Sequence, residues 1–286
     1  MAILTMISPP PLLSPPPPPS SSSSSSTSIF QSSSSSFKPI FASHCLSRPI
    51  SIASHLCAPK TPTRLDKSAL TVAEAASEDE LWATSCLRIR SFYDFHQSSF
   101  GIEPIVKDHK RCLAEREFEA LKERVAGKRT GFRRVSCINA TLPLSHLLSI
   151  SDDLCTACKK NGEDRVVVGT LDLNQCLRLP DEITGMKPQG IGADFARAYL
   201  SNVCVAKELQ RNGLAHALIA KSKMIAEDWG ISDLYVHVAI DNEPAKKLYM
   251  KSGFVYENDE PAWQARFLDR PRRILLWTEI PNTLDL

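Results

Sequence analysis

The chain has 286 residues, 43% of them hydrophobic and 23% charged, with a formal net charge of +2. That near-balance gives no whole-molecule case for a nucleic-acid partner, and no apolar run approaches the length of a membrane span. Nine scattered cysteines do not form the framework of a small disulfide-stapled secreted domain, which points to reduced thiols.

Residues 1–65 read as a targeting segment, disordered and excluded from the fold. No Asp or Glu precedes Asp66, and serine and proline tracts dominate (Pro15 to Pro19, Ser20 to Ser26, Ser32 to Ser36). The few charges, Lys38, Arg48, Lys60 and Arg64, are positive. Ser-rich, acid-poor composition is that of an organelle transit peptide, and the scarcity of arginine resembles plastid more than mitochondrial examples. Such a stretch cannot bury a core. The folded domain is assigned to 66–286.

A short strand is expected at 70–74. Ser77 and Glu80 have capping-box spacing and open a helix running to about 95, with Leu81, Cys86, Leu87, Ile89 and Phe92 inward. A second, highly charged helix is expected at 107–126, with Leu113, Phe118, Leu121 and Val125 on one side and Gly127 ending it. Strands follow at 133–140 and 165–173, separated by a polar loop at 149–164. That loop holds the one close cysteine pair, Cys155 and Cys158, with no second pair at zinc spacing, so no metal site is expected. Residues 180–192 read as a loop rich in proline and glycine.

A strand at 199–205, ending in branched Val203 and Val205, leads into the polar turn Gln210-Arg211-Asn212-Gly213-Leu214-Ala215. Apolar residues at helical spacing follow: Leu214, Leu218, Ile219, Met224 and Ile225. A turn opening a helix presents N–H groups without intrahelical partners, at the positive end of the helix dipole. That combination is an anion site. Small Gly213 and Ala215 leave room for a phosphate, and Arg211 adds charge. Next, 233–239 alternates cleanly, with Leu234, Val236 and Val238 on one face and Tyr235, His237 and Ala239 on the other. Asn242 starts another helix with Pro244 in its first turn, Leu248 and Tyr249 apolar, and Gly253 as its stop. A charged, aromatic loop at 257–273 and a strand at 274–280 complete the chain. Arg129, Arg133, Arg134 and the arginines of 270–273 read as solvated faces.

The turn has the form Gln/Arg-x-x-Gly-x-Gly/Ala, and Asp241-Asn-Glu-Pro-Ala-Lys-Lys-Leu-Tyr249-Met-Lys-Ser-Gly253-Phe254 follows it in order. Together they resemble the two signature motifs of the GCN5-related N-acetyltransferase (GNAT) superfamily, here within 198–254 of a likeness covering about 69–280. The resemblance implies an α/β fold in which a mixed central sheet with splayed central strands is flanked by helices, and acetyl-CoA as co-substrate with no metal. It places the thioester carbonyl against the backbone of Val203, Cys204 and Val205. The pyrophosphate then lies on Gln210, Arg211, Asn212, Gly213, Leu214, Ala215 and His216. The pantetheine arm lies by Asn242, Glu243 and Pro244, with Tyr249 donating to the sulfur.

Acetyl transfer from a thioester to an amine needs a neutral amine, donors for the oxyanion, and a proton or hydrogen bond for the departing thiolate. Tyr249 is the expected acid, a phenol protonated at neutral pH. His237 stands where related N-terminal acetyltransferases carry a basic glutamate, and is the candidate base. Near pH 8 about half of α-amino groups are neutral but only about 0.4% of lysine side chains. The local sequence resembles the N-terminal α-acetyltransferase branch and plant plastid GNAT proteins, which as a group acetylate protein N-termini and lysines. The leading expectation is therefore a chloroplast stromal enzyme acting on both kinds of protein amine. A small-amine acetyltransferase with a pocket lined by Tyr235, Trp263 or Phe267 is the alternative. A non-catalytic acetyl-CoA-binding regulator is the third.

Overall fold

The computed structural model describes residues 67–93, 103–128, 131–146, 157–160, 162–176 and 196–281. The expected targeting segment and the 180–192 loop lie outside them, as does Cys155.

One strand carries the rest. β5 (Arg197–Val205) is buried along nearly its whole length, which is why its sequence reads apolar on both faces. It pairs antiparallel with β4 (Glu163–Cys176) on one side and parallel with β6 (Asp233–Ala239) on the other. Parallel neighbours need a crossover, and α3 (Leu214–Asp228) supplies it. Among the described residues the sheet has eight strands in the order β1-β2-β4-β5-β6-β8-β7, with β3 on β4. Here β1 is Thr71–Glu74, β2 Phe132–Pro143, β3 Ala157–Lys160, β7 Val255–Asp259 and β8 Arg273–Glu279. Only the β5–β6 pair is parallel, so the sheet is mixed.

The main core lies between one sheet face and α3. Leu171, Leu173, Leu200, Leu234, Val236 and Val238 meet Leu214, Leu218, Ile219 and Ile225 there. Ala245 and Tyr249 of α4 (Glu243–Lys251) join the same cluster. α1 (Glu78–Phe92) and α2 (Glu103–Val125) take the opposite face, where α1 reaches Thr170 and Asp172 of β4.

Several expectations shift. α1 ends at Phe92, and α2 begins at Glu103. Ser77 caps Glu80 as expected, but the Glu80 carboxylate returns to the Ala76 N–H at 2.6 Å, one residue before the cap. The 149–164 stretch holds β3, which forms because β4 offers it an edge. The 257–273 loop holds the end of β7 and a short helix, α5 (Ala262–Phe267). Met224 is 57% exposed and does not join the core face of α3.

Candidate active site

The β5–β6 ladder stops early. Its register runs from Arg197↔Asp233 to Leu200↔Val236, although both strands continue beyond that point. The strands therefore part after Leu200, as the expectation of splayed central strands required. Just there β5 carries an extra residue against β4. Asp172 faces Ser201 and Thr170 faces Cys204, so two steps on β4 match three on β5. Asn202 takes a left-handed conformation, φ 53°. This is a bulge, a device that bends a strand and frees backbone groups from the ladder.

After the bulge the Val203 side chain enters the main core and Cys204 enters the cluster under α1. Only their backbone groups remain for a ligand. β5 then leads into the expected phosphate turn. Arg211 and Gly213 both have positive φ, 68° and 85°. A Cβ on Gly213 would meet nothing within 4 Å, so the backbone conformation and not crowding by the protein selects glycine here. Gly213 is the N-cap of α3 and has no side chain to cap with, and no acidic residue stands in the first turn. The orphan N–H groups of that turn are thus left without a competing side-chain acceptor. Gln210 Nε2 donates to the Val205 carbonyl at 3.2 Å, and Asn212 Nδ2 donates to the Leu209 and Gln210 carbonyls. These amides brace the turn from within. Leu214 is buried, so its side chain serves the core, while Arg211 and His216 are exposed. His216 Nδ1 meets Ser252 Oγ at 3.2 Å, linking the turn to the end of α4.

Asn242 caps α4, its Oδ1 accepting from the Ala245 N–H at 3.3 Å. Glu243 and Pro244 are exposed in the first helical turn, and Glu243 pairs with Lys246. About two turns on, Tyr249 is fully buried, its ring edge-on to Phe254 with centroids 5.4 Å apart. Its hydroxyl has no hydrogen-bond partner among the described residues. Burial drives its pKa well above the ordinary phenol value, and the Tyr199 hydroxyl lies within electrostatic reach. A buried, protonated donor with nothing to donate to fits a ligand atom that accepts.

His237 is 3% exposed, and its Nδ1 shares a hydrogen bond of 3.0 Å with the Tyr199 hydroxyl. Burial first, and then the Arg273 charge, lowers its pKa to about 3. The imidazole is therefore neutral at physiological pH, and it is a weaker base than its place in the sequence suggests. Beside it lies Glu260, which no sequence signal singled out. Its carboxylate is buried and accepts from Arg270 and Arg273. Burial alone would raise its pKa, but these arginines hold it at about 2. Arg270 and Arg273 are thus ion-pair partners and not the solvated face expected of them. Tyr235 is buried, whereas Trp263 and Phe267 are 65% and 82% exposed, so the three do not line one narrow pocket.

Among the described residues no His, Cys, Asp and Glu cluster could hold a metal, and no helix is long and apolar enough to cross a membrane. The profile of the Acetyltransferase (GNAT) family matches residues 124–254. "GCN5-related N-acetyltransferase 7, chloroplastic" of Arabidopsis thaliana is 63% identical over 82% of this chain and 84% of its own length. "GCN5-related N-acetyltransferase 6, chloroplastic" of the same plant is 31% identical over 63% and 60%. Among solved structures, a GNAT-family acetyltransferase from Streptococcus pneumoniae aligns with 74% of this chain and 99% of its own at a TM-score of 0.42 and 17% identity.

Proposed function

The chain belongs to the GNAT family of acetyl-CoA-dependent N-acetyltransferases, and from that premise we propose that it acetylates protein amines, foremost N-terminal α-amines and also lysine side chains. Its similarity to relatives named chloroplastic places it in the plastid. In this reading residues 1–65 are the transit peptide that takes it to the stroma.

The observation that carries the proposal is the buried, unpartnered Tyr249 hydroxyl, within electrostatic reach of Tyr199 on β5. Acetyl-CoA supplies an activated acyl group whose leaving atom is a thiolate. Tyr249 is the donor for that sulfur. Its raised pKa keeps the proton largely on the phenol, since a thiol near 8.5 is the stronger acid. Tyr249 therefore acts through a persistent hydrogen bond more than through complete proton transfer. The backbone of Val203, Cys204 and Val205 faces the thioester carbonyl, and the turn from Gln210 to His216 holds the pyrophosphate. Asn242, Glu243 and Pro244 border the pantetheine arm.

A weak base sets the acceptor class. An imidazole with a pKa of about 3 cannot hold a proton taken from an α-ammonium near 8 or a lysine near 10.4. The amine must reach the site already neutral, which favours α-amines. His237 then serves as the neutral hydrogen-bond partner of Tyr199, and the proton the amine sheds as the amide forms ends on the departing thiolate, so that CoA leaves as the thiol. Two exposed aromatics, Trp263 and Phe267, favour a polypeptide acceptor over a small amine in a closed pocket.

The test is acetyl transfer by the full chain to two peptides, one with a free N-terminus and no lysine, the other N-terminally blocked with one lysine. Transfer to both, faster to the first, is expected. Transfer to neither, with acetyl-CoA still bound, would shift the reading to a small-amine enzyme or a non-catalytic binder.

A further inference from the structure

Asp172 is a carboxylate in the middle of β4, fully buried, where the flanking Leu171 and Leu173 belong to the main core. Arg88 of α1, 1% exposed, donates to Asp172 Oδ1 at 2.6 Å, and Arg124 of α2 lies 3.5 Å from Oδ2. Glu117 accepts from both arginines, at 2.9 and 3.2 Å. Burial would raise the Asp172 pKa, but Arg88 and Arg124 more than offset it, so the group is ionised. Two cations and two anions thus balance, with Arg88 and Asp172 buried and Arg124 and Glu117 partly exposed. Apolar residues of similar volume commonly stabilise a fold as well as such a cluster does. What the cluster holds is therefore the informative question.

It holds the bulge. Asp172 Oδ2 accepts from Asn202 Nδ2 at 2.9 Å. Asn202 is in the left-handed region, which asparagine tolerates better than most residues but does not prefer. Without the extra residue, every later side chain of β5 would change faces. Val203 and Cys204 would exchange surroundings, and their N–H and C=O groups would turn away from the gap that opens after Leu200 and Val236.

We propose that Asp172 and Asn202 are positioning residues for acetyl transfer: the carboxylate, anchored by Arg88, grips the Asn202 amide and fixes the direction in which the Val203 and Cys204 backbone faces the mouth between β5 and β6. This rests on the reading of that mouth as the place of the thioester carbonyl. Neither residue touches substrate. Each acts through the backbone that does.

Asn202→Gly in the full chain is the direct test, because glycine accepts the left-handed conformation while removing the grip. Thermal stability, the Kd of CoA and of acetyl-CoA by calorimetry, and kcat with the free-N-terminus peptide are measured together. The expected result is an unchanged Kd for CoA, which lacks the carbonyl, a reduced preference for acetyl-CoA over CoA, and kcat lower by roughly 10- to 100-fold. The exchanged pair Asp172→Asn with Asn202→Asp restores a carboxylate–amide contact, and should recover part of the kcat that Asp172→Asn alone loses. Wild-type kcat in Asn202→Gly overturns the proposal. So does a loss of CoA binding in step with Tm, which would make the grip a folding contact only. Tyr249→Phe, run in parallel, separates the two levels. If it is slow while Asn202→Gly is not, only the positioning role fails. If both turn over at wild-type rate, the reading of the mouth fails as well.

Discussion

Tyr249→Phe should make the ligand-free protein more stable and the enzyme slower. The substitution keeps the ring, its edge-on contact with Phe254 at 5.4 Å and its place in the core, and deletes only a buried hydroxyl without a partner. A buried polar group left unpaired costs about 1–3 kcal/mol. Removing it should therefore return on the order of 1–2 kcal/mol. For a domain of 150–250 residues, each 1 kcal/mol shifts Tm by roughly 2–4 °C, so a rise of about 2–8 °C is expected. Losing a hydrogen-bond donor to charge that develops in the transition state typically lowers turnover by roughly 10²–10³-fold. Thermal melts without ligand, and acetyl transfer to a peptide with a free N-terminus, read the two effects. A fall in Tm would show that the hydroxyl is satisfied in the resting protein, and an unchanged kcat would remove Tyr249 from the chemistry. Either result refutes the reasoning.

Gly213→Asp should weaken CoA binding at least tenfold, because a carboxylate beside the uncapped first turn of α3 repels the pyrophosphate, and because aspartate must adopt φ 85°; wild-type affinity by calorimetry would sink the phosphate-turn assignment. His237 has a folded pKa of about 3 against an ordinary 6.5, so the unfolded chain binds more protons between these values, and stability is lost as pH falls from about 6.5 toward 3. At pH 5 the loss is about 2 kcal/mol, and His237→Gln should remove that share of the pH dependence of Tm, whatever it does to Tm at pH 8. Arg88→Met should cost about 3–5 kcal/mol by leaving Asp172 inadequately paired, while adding Asp172→Leu should recover most of the stability. That double variant should stay slow in acetyl transfer, since nothing then grips Asn202.

The parts of this protein legible in its sequence are those whose signals are local. The turn that opens α3, the alternation of β6 and the cap of α4 each depend on residues a few positions apart. The run Leu234, Val236 and Val238 declares the face that joins the main core, although Tyr235 and His237 on the other face are buried as well. The charge network was not legible for the opposite reason. Thr84, Ser85 and Arg88 look like the wet side of α1, yet all three are buried. What permits their burial is Asp172 for Arg88 and Asn139 for Thr84, on strands far along the chain. Spacing cannot announce a pairing across such a distance. His237 shows the same limit in reverse: its position was readable, but the burial and the Arg273 charge that make it a weak base come from tertiary packing. Similarly, β3 is a polar stretch made into a strand by the edge of β4.

Several features unfavourable to the resting fold occur in the stretches assigned above to acetyl-CoA. Arg211 and Gly213 hold left-handed backbone at the head of a helix with no side-chain cap. Asn202 holds it in the middle of a buried strand, and Tyr249 keeps a hydroxyl unsatisfied two turns into α4. Other polar groups are answered: Arg165 bonds Thr141, Glu163, Ala69 and Thr71. A scaffold optimised only for stability would remove the first set by simple substitutions, a capping serine, a regular strand, a phenylalanine. Their coincidence in those stretches is expected when donors and backbone are held ready for groups the free protein does not contain, so that little reorganisation remains when the thioester arrives.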